Sequence, residues 1–279
     1  MSFFLLLISA LCVASLTYIA CWYTKIKLPF SCMSISLIMG LLTAGILFFV
    51  TKSTPLQQES NLMIVGTSGD FPPFTFFKEG ILVGFDTDLI EEIGHRLNKK
   101  IELKNSPFST LLPSLQLGTI NVIASGLTET PERAQQVLFT TPYVENNPLV
   151  IVSLSSSPAN SIQDLYDKDV IVNEGYTADL YMSNIKGPHI KRLKSPAESF
   201  LALKSGRGFA FVTAQNTIKP FFDQYDAQEF HVASIPGTEE SASLAIAPGH
   251  TELLKQIQAT LDQMKEDGTL QKLKNKWGL

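Results

Sequence analysis

The chain has 279 residues, of which 45% are hydrophobic, with 22 basic and 26 acidic side chains and a net charge of −4. After residue 52 there are 19 basic and 26 acidic residues, a net charge of −7 without a basic cluster, which excludes nucleic acid as the expected partner. The length is sufficient for one or two domains besides a targeting segment.

The first 50 residues form a hydrophobic segment with only two charged side chains, Lys25 and Lys27. This pair separates two apolar blocks, Ser2–Tyr23 and Leu28–Val50. Each block has about the 20 residues that a membrane-spanning helix requires. Because short basic loops tend to stay in the cytoplasm, the chain after Thr51 is expected outside it.

The same segment also fits a signal sequence that is removed, with Met33 as an alternative start. We predict that residues 1–50 are retained as an anchor of one or two helices or are cleaved, and that residues 51–60 are a polar linker. All three cysteines, Cys12, Cys21 and Cys32, lie in this segment. Cys21 is either lipidated or a small residue of a membrane helix. No disulfide or cysteine-based metal site is expected after residue 50, because that part of the chain has no cysteine.

Beyond residue 60, strand patterns alternate with helix patterns. Strands are predicted at Leu62–Thr67, Lys100–Asn105, Ile120–Ser125, Leu149–Leu154, Asp169–Gly175, Ala210–Ala214 and Ala242–Pro248. Helices are predicted at Asp86–Asn98 with Asp86 as N-cap, at Phe108–Gly118, from Pro131 onward, and over Thr251–Leu279. This alternation indicates an α/β fold with largely parallel sheets.

The helix that begins at Pro131 has an unusual entrance. Thr130 is a good N-cap and proline suits the first helical position. Arg133 then places a cation in the first turn, which the helix dipole disfavours unless an anion lies nearby. Together with the hydroxyls of Ser125 and Thr128, this guanidinium predicts a carboxylate-binding site.

A second reading of Arg133 remains open from spacing alone. Its side chain could form a surface ion pair with Glu129 or Glu132. A loop after the first predicted strand, Gly66–Phe77, favours the site instead, because it crowds aromatic residues at a strand end, where open α/β sheets bind ligands. One of these aromatic residues would flank a ligand and the others would be core.

The order and spacing of several motifs resemble the bacterial periplasmic solute-binding proteins for polar amino acids, which are partners of ABC transporters. The first lobe of that family is matched by "VGTSGDFPPFTF", "GFDTDLIEEI" and "LLPSLQLGTINVIASGLTETPERAQQVLFTTPY". The second lobe is matched by "DVIVNEGYTA" and the C-terminal helix by "EDGTLQKLKNKWG". The resemblance extends from Asn61 to Gly278.

The resemblance implies a two-lobed α/β fold with a mostly parallel, helix-flanked sheet in each lobe and two hinge strands. The lobes would be residues 61–147 with 241–279, and residues 148–240. The segment Thr140–Val152 would form one hinge strand. The two lobes of this family close over a ligand bound between them.

The resemblance also implies roles for individual residues. Arg133 would bind the ligand carboxylate, assisted by Thr128 and by Thr177 from the second lobe. Gly126 and Thr128 would accept hydrogen bonds from the ammonium. The ligand-binding residues implied in this way, together with their neighbours in the motifs, are Phe71, Phe108, Ser125, Gly126, Thr128, Arg133, Tyr176, Thr177 and Gln215. Phe71 and Phe108 would stack on the ligand side chain, and Tyr176 would narrow that slot.

Two positions depart from the family pattern. Many members carry a second-lobe acid for the ammonium, where this chain has Thr213–Gln215. Ser68 stands where some binders of basic amino acids have a carboxylate, which weakens the case for lysine or arginine. The four scattered histidines do not predict a metal site, and the Asp86–Asp88 pair is explained by a helix start. We therefore expect no metal and no cofactor.

The sequence predicts a monomeric, periplasmic protein that is not an enzyme, anchored to the cytoplasmic membrane if its N-terminal segment is retained. It would bind a free amino acid and deliver it to an ABC transporter permease. One alternative is a dehydratase resembling the cyclohexadienyl and arogenate enzymes of the same fold, with Glu174 as general acid. Another is a membrane-tethered ligand sensor.

Overall fold

The computed structural model describes residues 61–279. The predicted anchor, the linker and the Cys21 alternatives lie outside the described residues. Within residues 61–279, no helix combines the length and apolar character needed to cross a bilayer.

The strands and helices agree closely with the predicted pattern at several places. The strands are β1 (Leu62–Thr67), β2 (Asp70–Phe71), β3 (Thr75–Lys78), β4 (Ile81–Val83), β5 (Lys100–Asn105), β6 (Val122–Ile123), β7 (Leu138–Phe139), β8 (Val144–Leu154), β9 (Asp169–Asn173), β10 (His189–Leu193), β11 (Ala210–Ala214), β12 (Phe230–Ala242) and β13 (Ala245–Ile246). The helices are α1 (Phe85–Arg96), α2 (Phe108–Gln116), α3 (Pro131–Ala134), α4 (Thr177–Ser183), α5 (Pro196–Lys204), α6 (Gln215–Phe222), α7 (Thr251–Glu266) and α8 (Thr269–Trp277), with 3-10 turns at Ile162–Leu165 and Ala227–Glu229.

The first lobe is built on a five-stranded sheet in the order β5-β1-β6-β13-β7. Strands β5, β1 and β6 are parallel neighbours, and β13 runs antiparallel to β6 and β7. The carboxyl ends of the three parallel strands therefore meet at one edge. Loops at such an edge are where open α/β sheets bind ligands.

The second lobe has a five-stranded sheet in the order β10-β9-β11-β8-β12. Strand β9 is parallel to β10 and β11, whereas β8 is antiparallel to β11 and β12. Each sheet is thus mixed, because β13 in the first lobe and β8 in the second run antiparallel to both of their neighbours. The predicted two-lobed α/β fold is confirmed.

Strands β8 and β12 are long and pair with each other from Val144↔Ala242 to Leu154↔Phe230. Within this ladder Asn147 faces Glu240. These are the residues at which the predicted lobe boundaries fall.

The core of the first lobe is formed by apolar faces that the sequence pattern predicts. In α1, the side chains of Leu89, Ile90 and Ile93 are fully buried, in agreement with the helical spacing, and they join a core that includes Val65 of β1. Burying a side chain of this size contributes about 1.5–3 kcal/mol. This packing fixes α1 against the sheet whose strand ends carry the site.

The start of α1 differs from the prediction. The N-cap is Gly84, and Asp86 lies in the first turn with its side chain fully buried. Gly84 has φ 144 and contacts the Phe74 backbone so closely that a Cβ atom would overlap it. Because Phe85 must reach the core, the helix begins earlier and Asp86 turns inward rather than capping.

The C-terminal segment, predicted to be helical over Thr251–Leu279, forms two helices. Helix α7 ends at Glu266, and Gly268 adopts φ 79 before α8 begins at Thr269. A glycine with positive φ ends helices readily because it has no Cβ to clash. The turn lets α8 fold back onto α7 and α1, where Leu270 is buried.

Candidate functional site

Three loops of the first lobe meet at the carboxyl ends of β5, β1 and β6. Ser68 follows β1, Phe108 begins α2 after β5, and Ser125 follows β6. The Ser68 backbone N–H donates to Ser125 Oγ at 3.1 Å, and the two hydroxyls are 2.9 Å apart. Ser125, predicted to bind ligand, is fully buried and joins the loop after β6 to the loop after β1.

Gly126 is held in place by the buried Asp86. Its N–H donates to Asp86 Oδ2 at 2.5 Å, its φ is 58, and an added Cβ atom would lie 2.5 Å from the Phe71 ring. Burial raises the pKa of Asp86 from 3.8 to about 7, against the opposing effects of the Gly126 N–H and the Tyr143 hydroxyl. The carboxylate that was predicted as a helix cap instead supports the loop after β6.

Asp86→Asn is expected to change how stability depends on pH. Between pH 4 and 7 the folded state retains a proton on Asp86 that the unfolded chain loses, so this group lowers the unfolding free energy as pH rises. Asparagine keeps an acceptor for the Gly126 N–H but cannot titrate. Urea unfolding at several pH values should show the variant gaining stability relative to the parent from pH 4 to 7. The exposed control Asp223→Asn should show no such trend, and a pH-independent difference for Asp86→Asn would contradict this role.

Arg133 is positioned by the short helix α3, as predicted. Thr130 Oγ1 caps the helix by accepting from the Arg133 N–H at 3.3 Å, and proline occupies the first helical position. The side chain is only 4% exposed. Its Nη1 donates to the Thr128 carbonyl at 2.6 Å and its Nη2 to the Gly175 carbonyl of the second lobe at 2.8 Å. The guanidinium therefore bridges the two lobes.

This burial resolves the two readings of Arg133. Glu129 and Glu132 are exposed, and within residues 61–279 neither forms an ion pair with the guanidinium. Burial lowers the pKa of Arg133 to about 10, while Glu240 and Glu132 raise it. The arginine remains charged at neutral pH and faces inward.

The second lobe presents the loop Gly175–Thr177 to this guanidinium. Asp179 fixes the loop, because its Oδ2 accepts from the Gly175 N–H at 3.0 Å. Arg192 Nε in turn donates to Asp179 Oδ1 at 2.9 Å. The Gly175 carbonyl is thereby held where it accepts from Arg133.

A cavity lies between the lobes at this point, with a free volume of about 10 Å³. Seven of the nine predicted ligand-binding residues line it: Phe71, Phe108, Gly126, Thr128, Arg133, Tyr176 and Thr177. Ser125 is buried and does not line it, and Gln215 lines a separate, larger groove with Pro72, Pro73 and Trp277. The remaining residues that line the cavity are Asn173, Ala178, Val212, Thr213, Ala214 and Glu240.

Glu240 is the residue that sequence reasoning missed. It belongs to β12, is 9% exposed and lines the same cavity as Arg133. Burial raises its pKa from 4.5 to about 7, against the opposing effects of the Thr177 hydroxyl and the Arg133 charge. Its Oε1 is buried without a hydrogen-bond partner in the described part of the chain. The sequence signal for a buried acid was the adjacent pair Glu239–Glu240 in β12. Successive side chains of a strand point to opposite faces, so one of the two acids must point inward.

Arg133 and Glu240 thus place opposite charges around one cavity. No ion pair joins them among the described residues, although each shifts the pKa of the other. A guanidinium has five N–H donors, and two hydrogen bonds of Arg133 go to carbonyls, so donors remain for a ligand. Because these two side chains do not pair with each other, the cavity suits a zwitterion, a ligand that carries both a negative and a positive group.

Aromatic rings line the other side of the cavity. The Tyr176 ring centroid is 4.2 Å from that of Phe108 and 5.4 Å from that of Phe71, and the latter pair is edge-to-face. Arg133 Cζ is 5.9 Å from the Phe108 centroid. Phe71 and Phe108 come from the first lobe and Tyr176 from the second, so the rings also join the lobes.

Metal-binding groups are not found in this region. Within residues 61–279, no three His, Cys, Asp or Glu side chains are grouped to hold a metal ion. Of the Asp86–Asp88 pair, Asp88 Oδ2 accepts from Lys276 Nζ and Trp277 Nε1, each at 2.6 Å. Asp88 therefore serves the packing of α1 and α8, whereas Asp86 supports the loop after β6.

A family model, bacterial extracellular solute-binding proteins, family 3, matches residues 63–279. A probable amino-acid ABC transporter-binding protein of Haemophilus influenzae is 26% identical over 225 residues, covering 79% of this chain and 86% of that protein. ABC transporter arginine-binding protein 1 of Escherichia coli is 29% identical over 218 residues, covering 76% and 88%.

Solved structures of amino-acid-binding proteins are also similar to this chain. An ancestral arginine-binding protein bound to arginine has a TM-score of 0.74 at 36% identity, covering 78% of this chain and 98% of that chain. The ancestral amino acid-binding protein AncCDT-1, a precursor of cyclohexadienyl dehydratase, has a TM-score of 0.72 at 31% identity, covering 78% and 96%.

Proposed function

Since the chain belongs to family 3 of the bacterial extracellular solute-binding proteins, we propose that its interlobe cavity binds a free α-amino acid as a zwitterion. Arg133 binds the carboxylate and Glu240 the ammonium. The protein delivers this ligand to an ABC transporter permease, as the family does. The observation that carries the assignment is that a buried guanidinium and a buried carboxylate line one cavity without pairing.

The carboxylate subsite is built around Arg133. Charge-assisted hydrogen bonds of an arginine to a carboxylate are shorter and about twice as strong as neutral ones. Thr128 and Thr177 line the cavity from the two lobes and supply additional donors. A carboxylate at this position touches both lobes, which favours the closed arrangement.

The ammonium subsite uses Glu240 because the second-lobe stretch that carries an acid in many family members, Thr213–Gln215, has no acid in this chain. The Glu240 Oε1 is buried and unpartnered within residues 61–279, so it is costly to leave without a donor. The three N–H groups of an ammonium satisfy it and can reach further acceptors among Gly126 and Thr128.

Lobe closure provides the mechanism of delivery. A ligand that contacts both lobes shifts the population toward the closed state by its differential affinity for that state. The permease then recognises the closed lobes. This role places the chain in the periplasm, as a monomer that is tethered to the membrane if residues 1–50 are retained.

The dehydratase alternative finds no support in the position of its candidate acid. Glu174 is exposed, and it is absent from the described residues that line the cavity. The buried acid in the cavity is Glu240, which an ammonium ligand would occupy. We therefore propose binding without catalysis.

A thermal-shift screen with the twenty amino acids is expected to identify at least one ligand. At a hundred times its dissociation constant, a ligand stabilises the folded state by about 2.7 kcal/mol. For a domain of this size that raises Tm by roughly 5–10 °C. Equal concentrations of sodium acetate and ammonium chloride, which separate the two charges, should give no comparable shift. If no amino acid raises Tm, the proposed function is wrong.

A further inference from the structure

We infer that the ligand is an α-amino acid with a small side chain, because Tyr176 fills the slot between Phe71 and Phe108 that a larger side chain would occupy. This inference rests on the proposed function and adds the substrate class. Tyr176 is then the residue that determines specificity by size.

The packing of Tyr176 shows that the slot is filled. The residue is 8% exposed, and its ring contacts Phe108 and Phe71 at centroid distances of 4.2 and 5.4 Å. The Phe71 spacing lies in the usual range of about 4.5–7 Å for aromatic pairs, and the Phe108 spacing is shorter than that range, so the Tyr176 ring is tightly packed against Phe108. Protein interiors are packed too densely for a second chain of comparable size to share such a space.

The backbone on both sides keeps the ring in this position. The Tyr176 N–H donates to the Asn173 carbonyl at 3.1 Å, and its own carbonyl accepts from the Leu180 N–H at 3.1 Å in the first turn of α4. Gly175, which precedes it, has φ 77 and is tied to Asp179. The ring cannot leave the slot by a backbone shift without disturbing the start of α4.

The phenol also reaches the polar end of the slot. Burial and the charge of Asp70 raise the pKa of Tyr176 well above 10, so the hydroxyl stays protonated. Its oxygen and Asp70 Oδ1 are both buried without hydrogen-bond partners in residues 61–279. The Ser68 hydroxyl, 2.9 Å from Ser125 Oγ, also interacts with the phenol and opposes this rise of the Tyr176 pKa. The phenol therefore lies beside Ser68 and Asp70 at the polar end of the slot.

The remaining space is small. In this arrangement the cavity has room for about one water molecule, so any amino-acid ligand requires the lobes to separate. A hydrogen, methyl or hydroxymethyl side chain would then leave the Tyr176 ring in its place between the two phenylalanines. A leucine, phenylalanine or arginine side chain requires Tyr176 to leave.

Titration calorimetry with six ligands on three proteins tests this inference. The ligands are glycine, L-alanine, L-serine, L-leucine, L-phenylalanine and L-arginine, and the proteins are the parent, Tyr176→Ser and Tyr176→Phe. The parent should bind at least one small ligand tenfold or more tightly than the three large ones. Tyr176→Phe keeps the ring and should keep this order, whereas Tyr176→Ser should gain at least tenfold for one of the large ligands.

Two results would overturn the size rule while leaving amino-acid binding intact. One is a parent protein that binds L-arginine or L-leucine more tightly than every small ligand. The other is a Tyr176→Ser protein, shown to be folded by circular dichroism, with the same order of affinities as the parent. Absence of binding by the parent to any amino acid would instead overturn the proposed function itself.

Discussion

Arg133→Ala is expected to raise the Kd for the amino-acid ligand by roughly 30- to 5,000-fold while the protein remains folded. Removing one partner of a buried, hydrogen-bonded charge pair costs about 2–5 kcal/mol in binding. In this variant both the ligand carboxylate and Glu240 lose their cationic neighbour. The two carbonyls that Arg133 bonds, those of Thr128 and Gly175, lose their donor as well.

Calorimetric titration of the parent and the variant with the same ligand measures this effect. Arg133→Lys keeps the charge but loses the two-pronged geometry, so its affinity should fall between those of the parent and the alanine variant. Arg207→Ala removes an exposed arginine of the second lobe and should leave the Kd unchanged. Parent-like affinity in a folded Arg133→Ala protein would end the assignment of the carboxylate subsite.

Glu240→Gln is expected to weaken binding by roughly 10- to 150-fold, because a hydrogen bond to a charged group contributes about 1.5–3 kcal/mol. The effect should depend on pH. The pKa of Glu240 is about 7, so the carboxylate is largely protonated at pH 6 and must lose its proton before it can pair with the ammonium. In the parent, affinity at pH 6 should be about tenfold lower than at pH 8.

The neighbouring Glu239 provides a matched control for Glu240. It is exposed, it lies in the same strand β12, and Glu239→Gln makes the same chemical change outside the cavity. Glu239→Gln should keep the parent affinity and the parent pH profile, whereas Glu240→Gln should lose the dependence between pH 6 and 8. If Glu240→Gln binds as tightly as the parent at pH 8, the ammonium is bound by other groups.

The carboxylate side of the site could be predicted from the sequence because its determinants are local. Thr130, Pro131 and Arg133 lie within four residues, and the helix start they form is set by capping rules. The roles of Phe71 and Phe108 were implied by the resemblance to the solute-binding family, and the parallel order of β5 and β1 brings the strand ends that precede them together.

Glu240 could not be predicted because its position depends on pairing between distant segments. The ladder of β8 and β12 contains register shifts between Ser234 and Glu239 and between Glu240 and Ala242. Such irregularities change which side chain points inward, and local alternation does not reveal them. Only the folded ladder shows that Glu240, and not Glu239, faces Arg133.

Asp86 was misassigned for a related reason. An acid near a helix start is usually a cap or interacts with the helix dipole at the surface. In this chain Gly84 begins the helix and the Gly126 N–H, from a distant loop, supplies the partner that makes burial of the carboxylate tolerable. The partner of a buried polar group is set by tertiary structure, so the sequence pattern near residue 86 does not disclose it.

The most direct test of the account compares three forms of one ligand by titration calorimetry. These are the amino acid that raises Tm most in the screen, its analogue without the amino group, and its analogue without the carboxylate. If Arg133 and Glu240 bind the two ends of a zwitterion, each analogue should bind at least about 10-fold more weakly than the amino acid, as expected for loss of a charged hydrogen bond. Equal affinity of either analogue and the amino acid would contradict the zwitterion site.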